Sequence, residues 1–136
     1  LIECPNIDEL NQVVIDKIVN YLPKLKHVCI SCPTFINDSE LKITKKVTPH
    51  PQLDHLYNFG NQYNEVLKYM KRNKLNNIVY CGFHYGECIL TNSDGVIAFS
   101  HKYNVFVKRD LCGIFPGSIS WEDADKLTKR YAKIIY

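Results

Sequence analysis

The segment Asn77-Ile78-Val79-Tyr80-Cys81-Gly82 constrains the fold of this chain more than any other. Its apolar residues follow one another without alternation, which suits a strand covered on both faces, the situation of a parallel sheet. Glycine breaks the run, and the residues after it can begin a helix near Glu87 or Cys88. A strand-loop-helix junction is therefore predicted at the centre of the molecule.

The flanking segments repeat the alternation. Asp8 to Leu22 carries Leu10, Val13, Val14, Ile18 and Leu22 at close to helical spacing, with Asp8 placed to cap the first turn and Pro23 to end it. His27 to Cys32 reads as a strand, Leu41 to Lys45 as a half-buried strand, and Thr48 to Asn58, with its two prolines, as a loop. Helices are predicted over Asn61 to Lys74, from Glu87 or Cys88 to about Ser100, and over Ser120 to Tyr131, the last opened by a Ser120 and Asp123 capping pair. Strands are predicted at Val105 to Lys108 and Ile134 to Tyr136, with a glycine-containing loop from Gly113 to Gly117. Strands and helices in this alternation give an α/β class: a mainly parallel sheet with helices on both faces, joined by right-handed crossovers.

At 136 residues the chain suits a single domain, spanning residues 1–136. Lys plus Arg (17) over Asp plus Glu (14) leaves a net charge of +3, short of the excess expected of a nucleic-acid binder, so no nucleic-acid partner is expected. No apolar stretch approaches the roughly 20 residues that cross a bilayer, and no membrane partner is expected. The opening Leu1-Ile2-Glu3-Cys4-Pro5 has neither the pattern of a secretory signal nor that of a transit peptide, and it begins without an initiator Met. The six cysteines lie within apolar runs, which suits reduced thiols and a cytoplasmic location.

In open parallel sheets the reactive groups gather at the carboxyl ends of strands. The side chains just past predicted strands are Glu3 and Cys4, Cys32, Lys45 and Lys46, and the segment Phe83 to Cys88. A carboxylate, an ammonium group and a thiol meeting on one rim would form a nucleophile site, since the base takes the thiol proton and the cation favours the thiolate.

Gly82-Phe83-His84-Tyr85-Gly86-Glu87-Cys88-Ile89 after an apolar strand resembles the nucleophile loop of the isochorismatase-like cysteine hydrolases, the superfamily of nicotinamidase and N-carbamoylsarcosine amidase. Glycine, cysteine and the aliphatic residue after it are in register, while Tyr85 and Gly86 stand where family members usually carry Thr-Asp. Tyr103 to Cys112 is similar to the family's next strand with its Asp-Ala-Cys ending, and Asn58-Phe59-Gly60-Asn61 resembles an aromatic-glycine turn ahead of the preceding helix. The resemblance implies a three-layer α/β/α Rossmann-like domain. It implies Cys88 as nucleophile, Glu3 as base in place of the usual Asp, and Lys45 or Lys46 as the cation. Phe83, His84, Tyr85, Gly86 and Glu87 would line the oxyanion and substrate site, with a cis peptide at Phe83-His84. Members with a cysteine at this position cleave amides, so the expected activity is hydrolysis of a small amide or related C–N bond through a thioester. No cofactor and no metal are expected; the partners implied are a small-molecule substrate and further copies of the chain in a homo-oligomer.

Each of these residues also has an ordinary reading. Cys29, Cys81 and Cys112 suit core positions, Lys45 and Lys46 a solvated strand end, and Glu3 a frayed terminus. His50, Asp54 and His55 suit a solvated loop rather than a metal site. The alternative to an enzyme is a catalytically degenerate domain that binds a small molecule or a protein.

Overall fold

A computed structural model describes residues 1–3, 12–31, 56–59, 63–114 and 117–136. Its elements in chain order are β1 (Ile2–Glu3), α1 (Gln12–Tyr21), a 3-10 turn (Leu22–Lys24), β2 (Cys29–Ser31), β3 (Tyr57–Asn58), α2 (Tyr63–Arg72), β4 (Asn77–Phe83), α3 (Cys88–Thr91), α4 (Val96–Phe99), β5 (Asn104–Gly113), α5 (Trp121–Lys129) and β6 (Lys133–Ile135). The strands form one sheet in the order β3-β2-β1-β4-β5-β6, and every pairing is parallel.

Two apolar layers clothe this sheet, as the unbroken apolar character of β4 requires. On one face Ile2, Cys81, Phe83 and Leu111 pack with Ile15 and Ile18 of α1. On the other, Ile78, Tyr80 and Val107 pack with Val66 and Met70 of α2, Ile89 and Leu90 of α3, Val96 and Phe99 of α4, and Ala124 of α5. The molecule is thus a three-layer α/β/α domain of Rossmann-like topology. The strand order reverses between β1 and β4, where Glu3 pairs with Gly82. In open parallel sheets a crevice forms beyond the carboxyl ends of the strands at that reversal.

Several local expectations are corrected. The helix expected from Glu87 or Cys88 to Ser100 is two short helices, because Asn92-Ser93-Asp94-Gly95 turns the chain between them. Gly95 permits that turn: a Cβ there would lie 2.7 Å from the Ile89 carbonyl oxygen and 2.9 Å from that of Leu90. Tyr57–Asn58, expected in a loop, is a short edge strand on β2. β5 runs to Gly113, past Lys108, because a register shift after its pairing of Val107 with Tyr80 lets it rejoin β4 at Cys112. On α1 the buried stripe is Ile15 and Ile18, and Val13, expected inward, is exposed. The Ser120 cap is present, with the Asp123 N–H donating to Ser120 Oγ at 3.1 Å. The segment Leu41 to Lys45, Asp8 and the His50, Asp54 and His55 group lie outside the described residues.

Candidate active site

Glu3 ends β1 and has no exposed surface. Its neighbour Gly82 has φ +117°, and a Cβ there would fall 2.2 Å from the Glu3 carbonyl oxygen, so only glycine lets β4 approach β1 so closely at the strand reversal. Asn92 Nδ2 donates to Glu3 Oε2 at 2.8 Å. The Asn92 N–H in turn donates to the Cys88 carbonyl at 3.0 Å, one turn of α3 earlier. Asn92 therefore links the carboxyl group at the end of β1 to the helical turn that carries Cys88.

A second buried acid completes the cluster. Asp94, also without exposed surface, accepts a short hydrogen bond from the Ser31 hydroxyl at the end of β2, and its backbone carbonyl accepts from the Tyr80 hydroxyl at 2.8 Å. The Glu3 and Asp94 side chains lie within hydrogen-bonding reach of each other. Neither Glu3 Oε1 nor Asp94 Oδ1 has a donor among the described residues. A negative charge beside a buried carboxyl group disfavours its ionised form, so Asp94 favours protonation of Glu3. Burial, reinforced by the Asp94 charge, pushes Glu3 well above the ordinary carboxylate range, against the lowering hydrogen bond from Asn92.

The loop before Cys88 is built on committed backbone. The expected cis peptide at Phe83-His84 is corrected: the described residues contain none, and the chain turns through His84 at φ +62°. Phe83 is wholly buried against the α1 layer. Burial holds the His84 imidazole below its ordinary pKa, against the raising effect of the Glu87 charge. Tyr85 is wholly buried, its N–H donating to the Gly113 carbonyl at 3.0 Å and its hydroxyl to Asp125 Oδ1 at 2.5 Å. Gly86, at φ +79°, meets α5, where a Cβ would come within 2.5 Å of the Ala124 methyl. The Glu87 N–H donates to the His84 carbonyl at 2.9 Å, and Glu87 Oε1 accepts from the Ser118 hydroxyl at 2.5 Å. Tyr85 and Glu87 thus use their backbone N–H groups to shape the loop.

Cys88 is half-buried, whereas Cys29, Cys81 and Cys112 are buried and none of the four is in a disulfide. Burial raises the thiols of Cys29, Cys81 and Cys112, that of Cys81 to about 11, leaving all three protonated at neutral pH. Lys45 and Lys46 lie outside the described residues. The described third strand ends at Asn58, and the Phe59 N–H continues its ladder by donating to the Ile30 carbonyl at 2.9 Å. On β5, Lys108 pairs with Asp110 at 3.2 Å and Arg109 with Asp125 at 2.8 Å. Among the described residues no group of three or more His, Cys, Asp or Glu side chains could hold a metal ion. No described helix is long and apolar enough to cross a membrane.

Sequence reasoning selected Glu3 and Cys88 but missed Ser31, Asn92 and Asp94. The signal for the last two was the Asn-Ser-Asp-Gly stretch, four turn-forming residues in a row within a supposed helix. No family model matches this chain, and no curated protein matches it significantly.

Proposed function

We propose that the domain is a cysteine hydrolase cleaving a small amide or related C–N bond, with Cys88 as nucleophile and Glu3 as the group that carries the proton. The observation that carries this reading is the Asn92 bridge between the buried Glu3 carboxyl and the turn of α3 that bears Cys88. A carboxyl group raised by burial is better matched to a thiol than an ordinary one, because proton exchange is most effective between groups of similar pKa near the working pH. In the proposed cycle ionised Glu3 takes the Cys88 proton and the thiolate adds to the substrate carbonyl. Glu3 then returns the proton to the departing amine. Water, deprotonated by Glu3, cleaves the thioester and restores the thiol. Lys45 or Lys46 would supply the cation, and the Asp94 charge would hold the Glu3 carboxyl toward its protonated form.

A second reading, a degenerate domain that binds a small molecule or a partner chain, draws on different observations. Glu3 has no exposed surface, and the Tyr85 and Glu87 N–H groups are already bonded, to the Gly113 and His84 carbonyls. Alkylation by iodoacetamide at pH 7, followed residue by residue by mass spectrometry, separates the two. The hydrolase reading expects Cys88 to react at least tenfold faster than an ordinary thiol; reaction at the ordinary rate would leave only the binding module. A cytoplasmic setting and a homo-oligomer accompany the hydrolase reading, and sedimentation velocity tests the latter.

A further inference from the structure

Serine closes β2 where an aliphatic residue would serve the packing: Cys29, Ile30 and Ser31 are all buried, and Ser31 has no exposed surface. A hydroxyl in that position costs stability unless its proton is used. It is used on Asp94 Oδ2, 63 residues later in the sequence. Ser31 is also the register partner of Glu3 on the neighbouring strand. Among the described residues the two acids at the strand reversal are therefore served by one neutral donor each. Asn92 Nδ2 reaches Glu3 Oε2 at 2.8 Å, and the Ser31 hydroxyl reaches Asp94 Oδ2.

The backbone fixes this arrangement. Asn92 and Asp94 lie on one turn, closed by the Gly95 N–H donating to the Asn92 carbonyl at 2.8 Å and pinned by the Tyr80 hydroxyl donating to the Asp94 carbonyl at 2.8 Å. The Asp94 carboxylate is thus anchored to β2 through one oxygen while it lies within hydrogen-bonding reach of Glu3. A donor favours the charged form of the carboxyl group it serves, and charge on one acid disfavours charge on its neighbour. Asn92 and Ser31 accordingly pull Glu3 in opposite directions. Asn92 acts directly toward the carboxylate, and Ser31 acts through Asp94 toward the carboxylic acid.

We propose that Ser31 is a positioning residue of this site, holding the Asp94 carboxylate against Glu3 and so deciding, through Asp94, how readily Glu3 gives up its proton. The consequence for Cys88 rests on the hydrolase reading; the consequence for Glu3 does not. Among the described residues the other titratable groups that face Glu3 are Tyr80 and Cys81 of β4 and the Leu1 ammonium group. Burial raises Tyr80 well above its ordinary value and Cys81 to about 11, so both stay neutral in acid and neutral solution. The Leu1 ammonium group lowers Glu3 and is common to every variant.

Carbon-13 titration of the Glu3 carboxyl in the parent, Ser31→Ala, Ser31→Thr, Asp94→Asn and the double variant Ser31→Ala/Asp94→Asn tests this role. Ser31→Ala should lower the Glu3 midpoint by about one pH unit, because Asp94 loses the donor that supports its charge. Ser31→Thr keeps the hydroxyl and should keep the parent midpoint. Asp94→Asn removes the charge outright and should lower the midpoint further, and adding Ser31→Ala to it should change nothing more. Ser31→Cys, close in size and a weak donor, carries the same comparison if Ser31→Ala loses its cooperative melt. On the hydrolase reading the acid limb of the Cys88 alkylation profile moves to lower pH with the Glu3 midpoint. A variant that loses stability while its Glu3 midpoint stays in place would show Ser31 to be structural only and overturns the proposal. So does a lowering by Ser31→Ala that is as large without the Asp94 charge as with it. A Glu3 midpoint that falls while the Cys88 profile stays in place supports the role of Ser31 and overturns the hydrolase reading instead.

Discussion

Asn92 holds Glu3 from 89 residues away in sequence, its side-chain amide 2.8 Å from the carboxyl oxygen Oε2. The bond is the chief lowering influence on an otherwise desolvated acid. Asn92→Ala removes that donor, and a buried acceptor left unmade costs about 1–3 kcal/mol. Urea unfolding at pH 7 should show a loss of that size. Carbon-13 titration of the Glu3 carboxyl should show its midpoint moving further upward.

The acid pair makes stability fall with pH over a defined range. The Glu3 pKa is raised in the folded state well above the ordinary 4.5 of an exposed glutamate. Between that value and the folded pKa the native chain holds a proton that the unfolded chain has released, so the derivative of unfolding free energy with pH is negative there. The Glu3 contribution is fully present below the unfolded pKa and is lost as pH rises through the folded one. Glu3→Gln should remove this slope, because an amide offers Asp94 a permanent N–H donor. Thermal unfolding from pH 4 to 8 should show a flatter profile for Glu3→Gln, with its greatest advantage over the parent at the alkaline end.

The sheet was legible because β4 announces itself as a doubly covered strand, and because helices on either side of it keep a 3.6-residue spacing. Ile89, Leu90, Val96 and Phe99 keep apolar spacing across the break between α3 and α4, and that pattern masked the turn that carries Asp94. Periodicity reports which side chains face the core and is silent about a backbone that turns and resumes on the same face. Ser31 was hidden for a different reason: it reads as one more residue of a strand, and its role depends on an acid 63 positions later. Tyr85 stood in the loop beside the nucleophile, yet its ring and hydroxyl serve the packing of α5.

Gly82→Ala should be among the most damaging single changes in the molecule. The added methyl would sit 2.2 Å from the Glu3 carbonyl oxygen and 2.8 Å from its nitrogen, both backbone atoms, at a φ of +117° that L residues rarely adopt. Relief requires β1 to move away from β4, which breaks the pairing of Glu3 with Gly82 and the site with it. A loss of more than about 4 kcal/mol is expected, the range of mutations that disrupt special backbone geometry. Circular dichroism melts should show a marked drop in midpoint, and Gly82→Ser should behave alike.

Tyr85→Phe tests the packing role of that side chain. The Tyr85 hydroxyl and Arg109 Nε converge on Asp125 Oδ1, and the Arg109 guanidinium lies 4.6 Å from the Trp121 ring centroid. Burial tends to raise Asp125, but the hydrogen bonds from Arg109 and Tyr85 outweigh it and hold the carboxyl below its ordinary value. Loss of the hydroxyl leaves the partly buried carboxylate with its arginine, so the cost should be about 0.5–1.5 kcal/mol. The Asp125 midpoint should rise in an NMR titration, while the iodoacetamide rate at Cys88 should change less than twofold.

Glu3→Gln separates chemistry from folding at the other end of the site. Glutamine is isosteric, can accept from Asn92 and can donate to Asp94, so the fold should persist. It cannot take a proton from sulfur. If Glu3 is the proton carrier for Cys88, the alkylation rate at pH 7 should fall at least tenfold in Glu3→Gln, while the rates at the buried Cys29, Cys81 and Cys112 stay as slow as before. The pH profile should discriminate further. The parent's Cys88 rate should rise through the Glu3 pKa, whereas the variant's should follow the thiol alone and reach the parent's only in alkaline solution. Identical profiles would detach Cys88 from the acid pair and leave the Glu3, Asp94 and Ser31 cluster with a structural role at the strand reversal.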